Sequence, residues 1–327
     1  MGLHSVELPR PKCEVHDMPD RNICSFHRRV LLATVAFAAS LASIAPVAAQ
    51  ANDARPLLLV VHGRGQLGRD SAYVRREAYH ALQRGFRAID ADVSLRENDV
   101  RLVWYADLLD SHALGAPVVA CPSSARGMAS TSPDNALTTL ASLAGFLVES
   151  AVGMAGDSSQ YELRSMAGDL RYLGDSDTRC AAESRVEDAL REAALEHRPV
   201  ILMSHSLGAL VSWGALSHAS VTQDSTIPEV TRWITMGSPL GSSEVRMLLF
   251  GQDRALERPS RVRSWANVLG HDDPFAMRVS PDSAATSTLF DVTSATASDD
   301  PHLIVTYLAD PATARLVFDA WRAVDKP

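Results

Sequence analysis

The chain has 327 residues, 46% of them apolar and 21% charged, with a formal net charge of -8. That is the composition of a globular protein long enough for one large domain with an insertion. The acidic balance suggests neither a nucleic-acid surface nor an anionic-membrane surface, and nothing in the sequence matches a zinc-ligand set, a P-loop or a repeat array.

Residues 1–51 differ in kind from the rest. His27, Arg28 and Arg29 precede an apolar run over residues 30–45, too short and too small in side chain to favour a spanning helix, and Pro46-Val47-Ala48-Ala49 follows. This is the pattern of a signal peptide, with sites for a signal peptidase set by residues 47 and 49 or 49 and 51. Arg28-Arg29 also resembles a twin-arginine export signal. Met18 offers an internal start that would leave residues 1–17 untranslated. The mature chain, residues 52–327, is therefore expected to be exported, to the periplasm or beyond, with no stable membrane span. Cleavage leaves two cysteines, Cys121 and Cys180, which in an oxidising compartment are expected to form a disulfide.

The mature chain begins with Pro56 and a buried strand over residues 57–61, which runs into His62-Gly63-Arg64-Gly65. Residues 70–84 have helical periodicity, with Tyr73, Ala78 and Leu82 inward and Arg75, Arg76, Glu77 and Arg84 outward. Residues 100–105 are the next strand, and this β-α-β order implies a parallel sheet. Residues 110–180 interrupt the rhythm with a Gly/Pro/Ser-rich passage and an Ala/Leu/Val helix over about 135–154. An inserted helical lobe clipped at its ends by Cys121 and Cys180 is the economical reading. Ser142, Gly145 and Glu149 at the helix centre argue for a lid or buried helix rather than a membrane span.

The rhythm then returns: a helix over 181–197, a strand over 200–203, a turn at Ser206 and a helix of small and apolar residues. Ser204-His205-Ser206-Leu207-Gly208 approximates G-x-S-x-G, in which a sharp strand-to-helix turn exposes the central serine; Ser204 stands where that pattern has glycine. Further strands are expected over 232–236, 262–269 and 288–292, giving an α/β fold with a mostly parallel sheet and helices on both faces. A serine so seated needs a base to take its proton and an acid to orient that base. His302 is the histidine that lies beyond the aspartates ending a late strand.

Val61-His62-Gly63, Ser204 to Gly208, Gly237-Ser238-Pro239-Leu240, residues 267–274 and Pro301-His302, in that order, resemble the α/β-hydrolase superfamily, in particular its lipase- and esterase-like members. The likeness covers most of residues 56–310 apart from the insertion. It implies Ser206 as nucleophile, His302 as base and Asp273 as acid, with Asp272 in reserve and Asp291 third. It also implies an oxyanion hole from the amides of Leu207 and of Gly63 and Arg64. The implied activity is a cofactor-free serine hydrolase that cleaves a small-molecule or lipid ester through an acyl-enzyme. Lipase, esterase, peptidase and acyltransferase are not distinguished.

A rival reading uses the same loop. Gly63 to Gly68 is a literal G-x-G-x-x-G between a strand and a helix, with Asp90 and Asp92 at the distance of a ribose-binding acid, as in a dinucleotide-binding oxidoreductase. Residues 85–89 are, however, a poor second strand. A third reading is a hydrolase fold that binds without catalysing.

Overall fold

Two continuous apolar runs, Leu57–Val61 (β1) and Val200–His205 (β3), are buried along their whole length. Strands with no polar face must be covered on both sides, which is the condition of a central parallel sheet. In the computed structural model they sit in the middle of six strands, with Val100–Val103 (β2), Val230–Met236 (β4), Trp265–Leu269 (β5) and Leu289–Thr293 (β6). The order is β2-β1-β3-β4-β5-β6, and every neighbouring pair is parallel. The structure describes residues 55–66, 68–109, 168–250, 255–279 and 288–324. The chain divides into two units, Met1–Ala48 and Ala49–Pro327, and all described residues lie in the second. The expected leader, Cys121 and the expected helix over 135–154 lie outside the described residues.

Helices cover both faces. Leu57, Leu59, Val61 and Leu202 pack with Ser176–Leu195 (α3) and Leu207–Thr222 (α4), while Leu58, Val60, Ile201 and Met203 pack with Ser71–Ala88 (α1), Ile304–Ala309 (α6) and Pro311–Val324 (α7). The alternation of a strand's side chains thus divides one apolar run between two cores. Short helices Ala106–Leu109 (α2) and Ser243–Phe250 (α5) follow β2 and β4.

Local chemistry sets the boundaries. Asp70 caps α1, its Oδ1 accepting from the Tyr73 amide at 2.7 Å, and Asp175 caps α3, which starts at residue 176 rather than 181. Tyr73, expected inward, is 48% exposed, and Val74 takes the inward position instead. The sheet edge is shorter than the apolar pattern suggests: β2 stops at Val103, and Tyr105 turns in to donate its amide to the His62 ring and its hydroxyl to the His62 carbonyl.

After β1 the chain moves outward to β2, and after β2 it crosses back to lie on the other side of β1 as β3. The carboxyl ends of β1 and β3 therefore flank the point where successive connections diverge, the crevice that α/β sheets use for sites. Pairing of Val61 with Ser204 and of His205 with Met236 brings the ends of β1, β3 and β4 level there.

Candidate active site

Ser206 occupies the turn between β3 and α4 with φ 51° and ψ -124°. A β-carbon makes that backbone costly by roughly 1–3 kcal/mol, so surrounding packing must impose it. Two contacts do so. The Ser206 amide donates to the Met236 carbonyl at 2.9 Å, and Gly208 lets α4 lie directly on the end of β1. A β-carbon on Gly208 would fall 2.4 Å from the His62 carbonyl oxygen and 2.6 Å from that of Val61.

The other small position of the motif behaves differently. Ser204 is fully buried, yet its hydroxyl is satisfied: it lies 2.7 Å from Ser212 Oγ on α4 and accepts from Trp233 Nε1 on β4 at 3.0 Å. The serine in place of glycine therefore fits because α4 offers a small hydroxyl opposite it. That partnership is not visible in the five-residue motif.

Ser206, His302 and Asp273 meet at this turn. Ser206 Oγ lies 2.9 Å from His302 Nε2, and His302 Nδ1 lies 2.9 and 3.0 Å from the two carboxylate oxygens of Asp273. A carboxylate can only accept, so Nδ1 carries the proton toward Asp273 and Nε2 is left as the acceptor facing Ser206. All three are buried, between 5% and 8% exposed. Burial alone would raise the pKa of Asp273; hydrogen bonds from His302, Tyr307 and the Phe275 amide, with the charge His302 bears when protonated, outweigh it and hold the group below the usual carboxylate value.

The alternative acids are elsewhere. Asp272 has φ 59° and an exposed side chain that pairs with His271. Asp291 accepts from Asn267 Nδ2 at 2.8 Å and from the Val279 amide at 3.1 Å, within β5 and β6 rather than at His302.

The loop after β1 lies against the serine. A β-carbon on Gly63 would be 2.8 Å from Ser206 Cβ and 2.6 Å from His205 Nδ1, so only glycine permits this approach. His62 anchors the loop: its Nδ1 meets the Gly63 carbonyl at 2.7 Å, its Nε2 accepts from the Tyr105 amide at 3.3 Å, and its ring stacks on Tyr105. Burial drives its pKa down to about 4, partly opposed by the Gly63 hydrogen bond. Leu207 begins α4, so its amide has no acceptor within the helix. Arg64 is part-buried, pairs with Asp169 at 3.4 Å and lies 4.6 Å over Phe275, whose ring is 4.5 Å from His302. His205 is buried beside His302, ring centres 4.8 Å apart, and burial first, then the neighbouring imidazole, lower its pKa well below the ordinary value.

The dinucleotide alternative meets different geometry. Gly63 is packed on Ser206, and residues 85–88 continue α1 instead of forming a second strand. The acidic cap Asp70 sits at the α1 N-terminus, where a pyrophosphate would have to bind. Among the described residues no group of three or more His, Cys, Asp or Glu is arranged to hold a metal ion, and no helix is long and apolar enough to cross a membrane. Cys180 is buried in α3.

Sequence reasoning missed Tyr307. It follows His302 by five residues, is 2% exposed and donates its hydroxyl to Asp273. No motif marks it; an apolar-looking position on the helix after the histidine was the available signal. Comparison of the chain with protein-family models, with curated proteins and with solved structures finds no match.

Proposed function

We propose that the chain is an exported serine hydrolase of the α/β-hydrolase type that cleaves a carboxylic ester, of a small molecule or a lipid, through an acyl-enzyme. The observation that carries this reading is the continuous chain Ser206 Oγ, His302 Nε2, His302 Nδ1 and Asp273, each link 2.9–3.0 Å long. Such links are within the reach that general-base activation of a hydroxyl requires.

In the mechanism, Ser206 Oγ attacks the ester carbonyl carbon while His302 Nε2 takes its proton. Asp273 holds the resulting imidazolium through Nδ1. The oxygen that becomes negative is met by the Leu207 amide and by amides of the Gly63-Arg64 segment, which do not have to reorganise as charge develops. Collapse of the tetrahedral species breaks the bond to the alcohol oxygen, and His302 returns its proton to that oxygen. A water then repeats the sequence on the acyl-enzyme and frees Ser206. In this reading the insertion over residues 110–167 is a lid that selects the acyl group, and Cys121 within it is bonded to Cys180 of α3.

A fluorophosphonate probe tests the reading. The mature protein is expected to be labelled covalently and Ser206→Ala to be unlabelled. His302→Ala and Asp273→Asn should lose several orders of magnitude of p-nitrophenyl ester turnover, and Asp272→Asn should stay close to the parent. Full turnover by folded Ser206→Ala would sink the assignment.

A further inference from the structure

The phenol of Tyr307 uses both of its hydrogen-bonding capacities on the loop that carries Asp273. It donates to Asp273 Oδ2 and accepts from the Gly270 amide at 3.0 Å. With the amide as its donor and a carboxylate that can only accept, the hydroxyl proton has one direction, toward Asp273. Two glycines clear the space for this contact. A β-carbon on Gly270 would fall 2.2 Å from the Tyr307 oxygen, and one on Gly237 would fall 2.7 Å from Asp273 Oδ2.

The phenol rides on the first turn of α6, which begins two residues after His302. One short element thus delivers both the base and a group that grips the acid. Among the described residues, the groups facing the Asp273–His302 pair include Tyr307 from α6, Ser206 and the neutral His205 from the end of β3, and the Phe275 amide and ring and Gly270 of the same loop. Arg64 reaches the neighbourhood through Phe275, and the charge of Asp310 also acts on Tyr307.

We propose that Tyr307 is a positioning residue that acts through Asp273: its hydroxyl fixes the carboxylate's rotation and draws off part of its negative charge, which limits how tightly the imidazolium is held. The proposal rests on the serine-hydrolase reading for its kinetic consequence. It makes the site a four-member chain in which the last member keeps the base unprotonated further into the acid range. Without the phenol, the same carboxylate carries its charge undivided, grips the imidazolium harder and leaves less free base at a given pH.

The test uses the mature protein with Tyr307→Phe, and a second variant in which 3-fluorotyrosine, a stronger donor of nearly the same shape, is placed at position 307. For Tyr307→Phe, kcat on a p-nitrophenyl ester should fall on the order of tenfold with KM unchanged. The acidic limb of the kcat/KM profile should move up by about half a unit to one unit of pH. The fluorinated variant should move the limb the opposite way and keep its turnover. The imidazole titration, followed by nitrogen-15 NMR and assigned by loss in His302→Gln, should move in the same directions whether or not an ester is turned over. An unmoved titration in both variants overturns the role of Tyr307. Moved titrations in a protein that neither hydrolyses esters nor takes the fluorophosphonate would overturn the hydrolase reading and leave the tyrosine's role standing.

Discussion

His62 shows how much one side chain can commit a fold to a pH range. It is fully buried and neutral, because Nε2 must accept from the Tyr105 amide while Nδ1 donates to Gly63. Its pKa of about 4 in the folded chain, against an ordinary 6.5, means that between these values the unfolded chain holds a proton that the folded chain does not. Stability from this residue is therefore fully present above pH 6.5 and is lost as pH falls toward 4, by about 3 kcal/mol in all. His205, also buried and depressed, adds in the same sense. Urea midpoints measured at pH 7 and pH 5 should drop for the parent and drop less for His62→Asn; parallel drops would mean His62 is protonated when folded. The sequence put His62 in the loop beside Ser206 by motif order, but not its burial, since Tyr105 stands 43 residues away and only the β1–β2 pairing brings it there.

At the scale of elements, the strand-turn-helix around Ser206 was legible because period and residue size change together at residue 206. The apolar run, the turn and the small residues Gly208 and Ala209 each have a local cause. Asp273 was legible for a similar reason: a strand end followed by Asp-Pro marks where a chain leaves the sheet. Tyr307 was not, because its partner arrives from another strand end and no local pattern encodes that meeting. Ser204 lies between these cases. Read in the motif it is a departure, whereas in the sheet it holds Trp233 and Ser212. Ser204→Gly, which restores the motif, should therefore lower stability: it leaves a buried indole N–H without its acceptor, at about 1–3 kcal/mol, and adds backbone freedom to a strand. A fall of several degrees in thermal midpoint is expected, and a rise would show that the hydroxyl is not needed there.

Across the whole molecule, the sheet order places the divergence of connections beside Ser206, and the long segment between β2 and β3 starts close to where it ends. Gly168 lies against Leu109, with a β-carbon on it falling only 3.2 Å from Leu109 Cβ. Because the two ends already touch, the cost of replacing residues 110–167 with a short Gly/Ser linker is only that of closing a small loop. The shortened protein should keep a cooperative melt; on the serine-hydrolase reading it should also remain open to the fluorophosphonate, while its preference among p-nitrophenyl esters of different acyl length should change. Unaltered preference would separate the insertion from the site. The parallel α/β class was readable from alternating strands and helices; the strand order was not, because several orders satisfy the same alternation and the choice depends on which faces α1, α3 and α4 can cover.

The backbone of Ser206 has a consequence for how the protein comes into being. Its unfavourable φ is imposed by the carbonyls at the end of β1, against which Gly208 is pressed, and by Met236 on β4. Neither neighbour is local: one is about 150 residues upstream and the other 30 downstream. A growing or partly refolded chain therefore has helices well before it has this turn, and pairings of such separation are the slow ones. The strained turn at Ser206 is therefore expected to be among the last features to form and among the first to be lost when the sheet loosens.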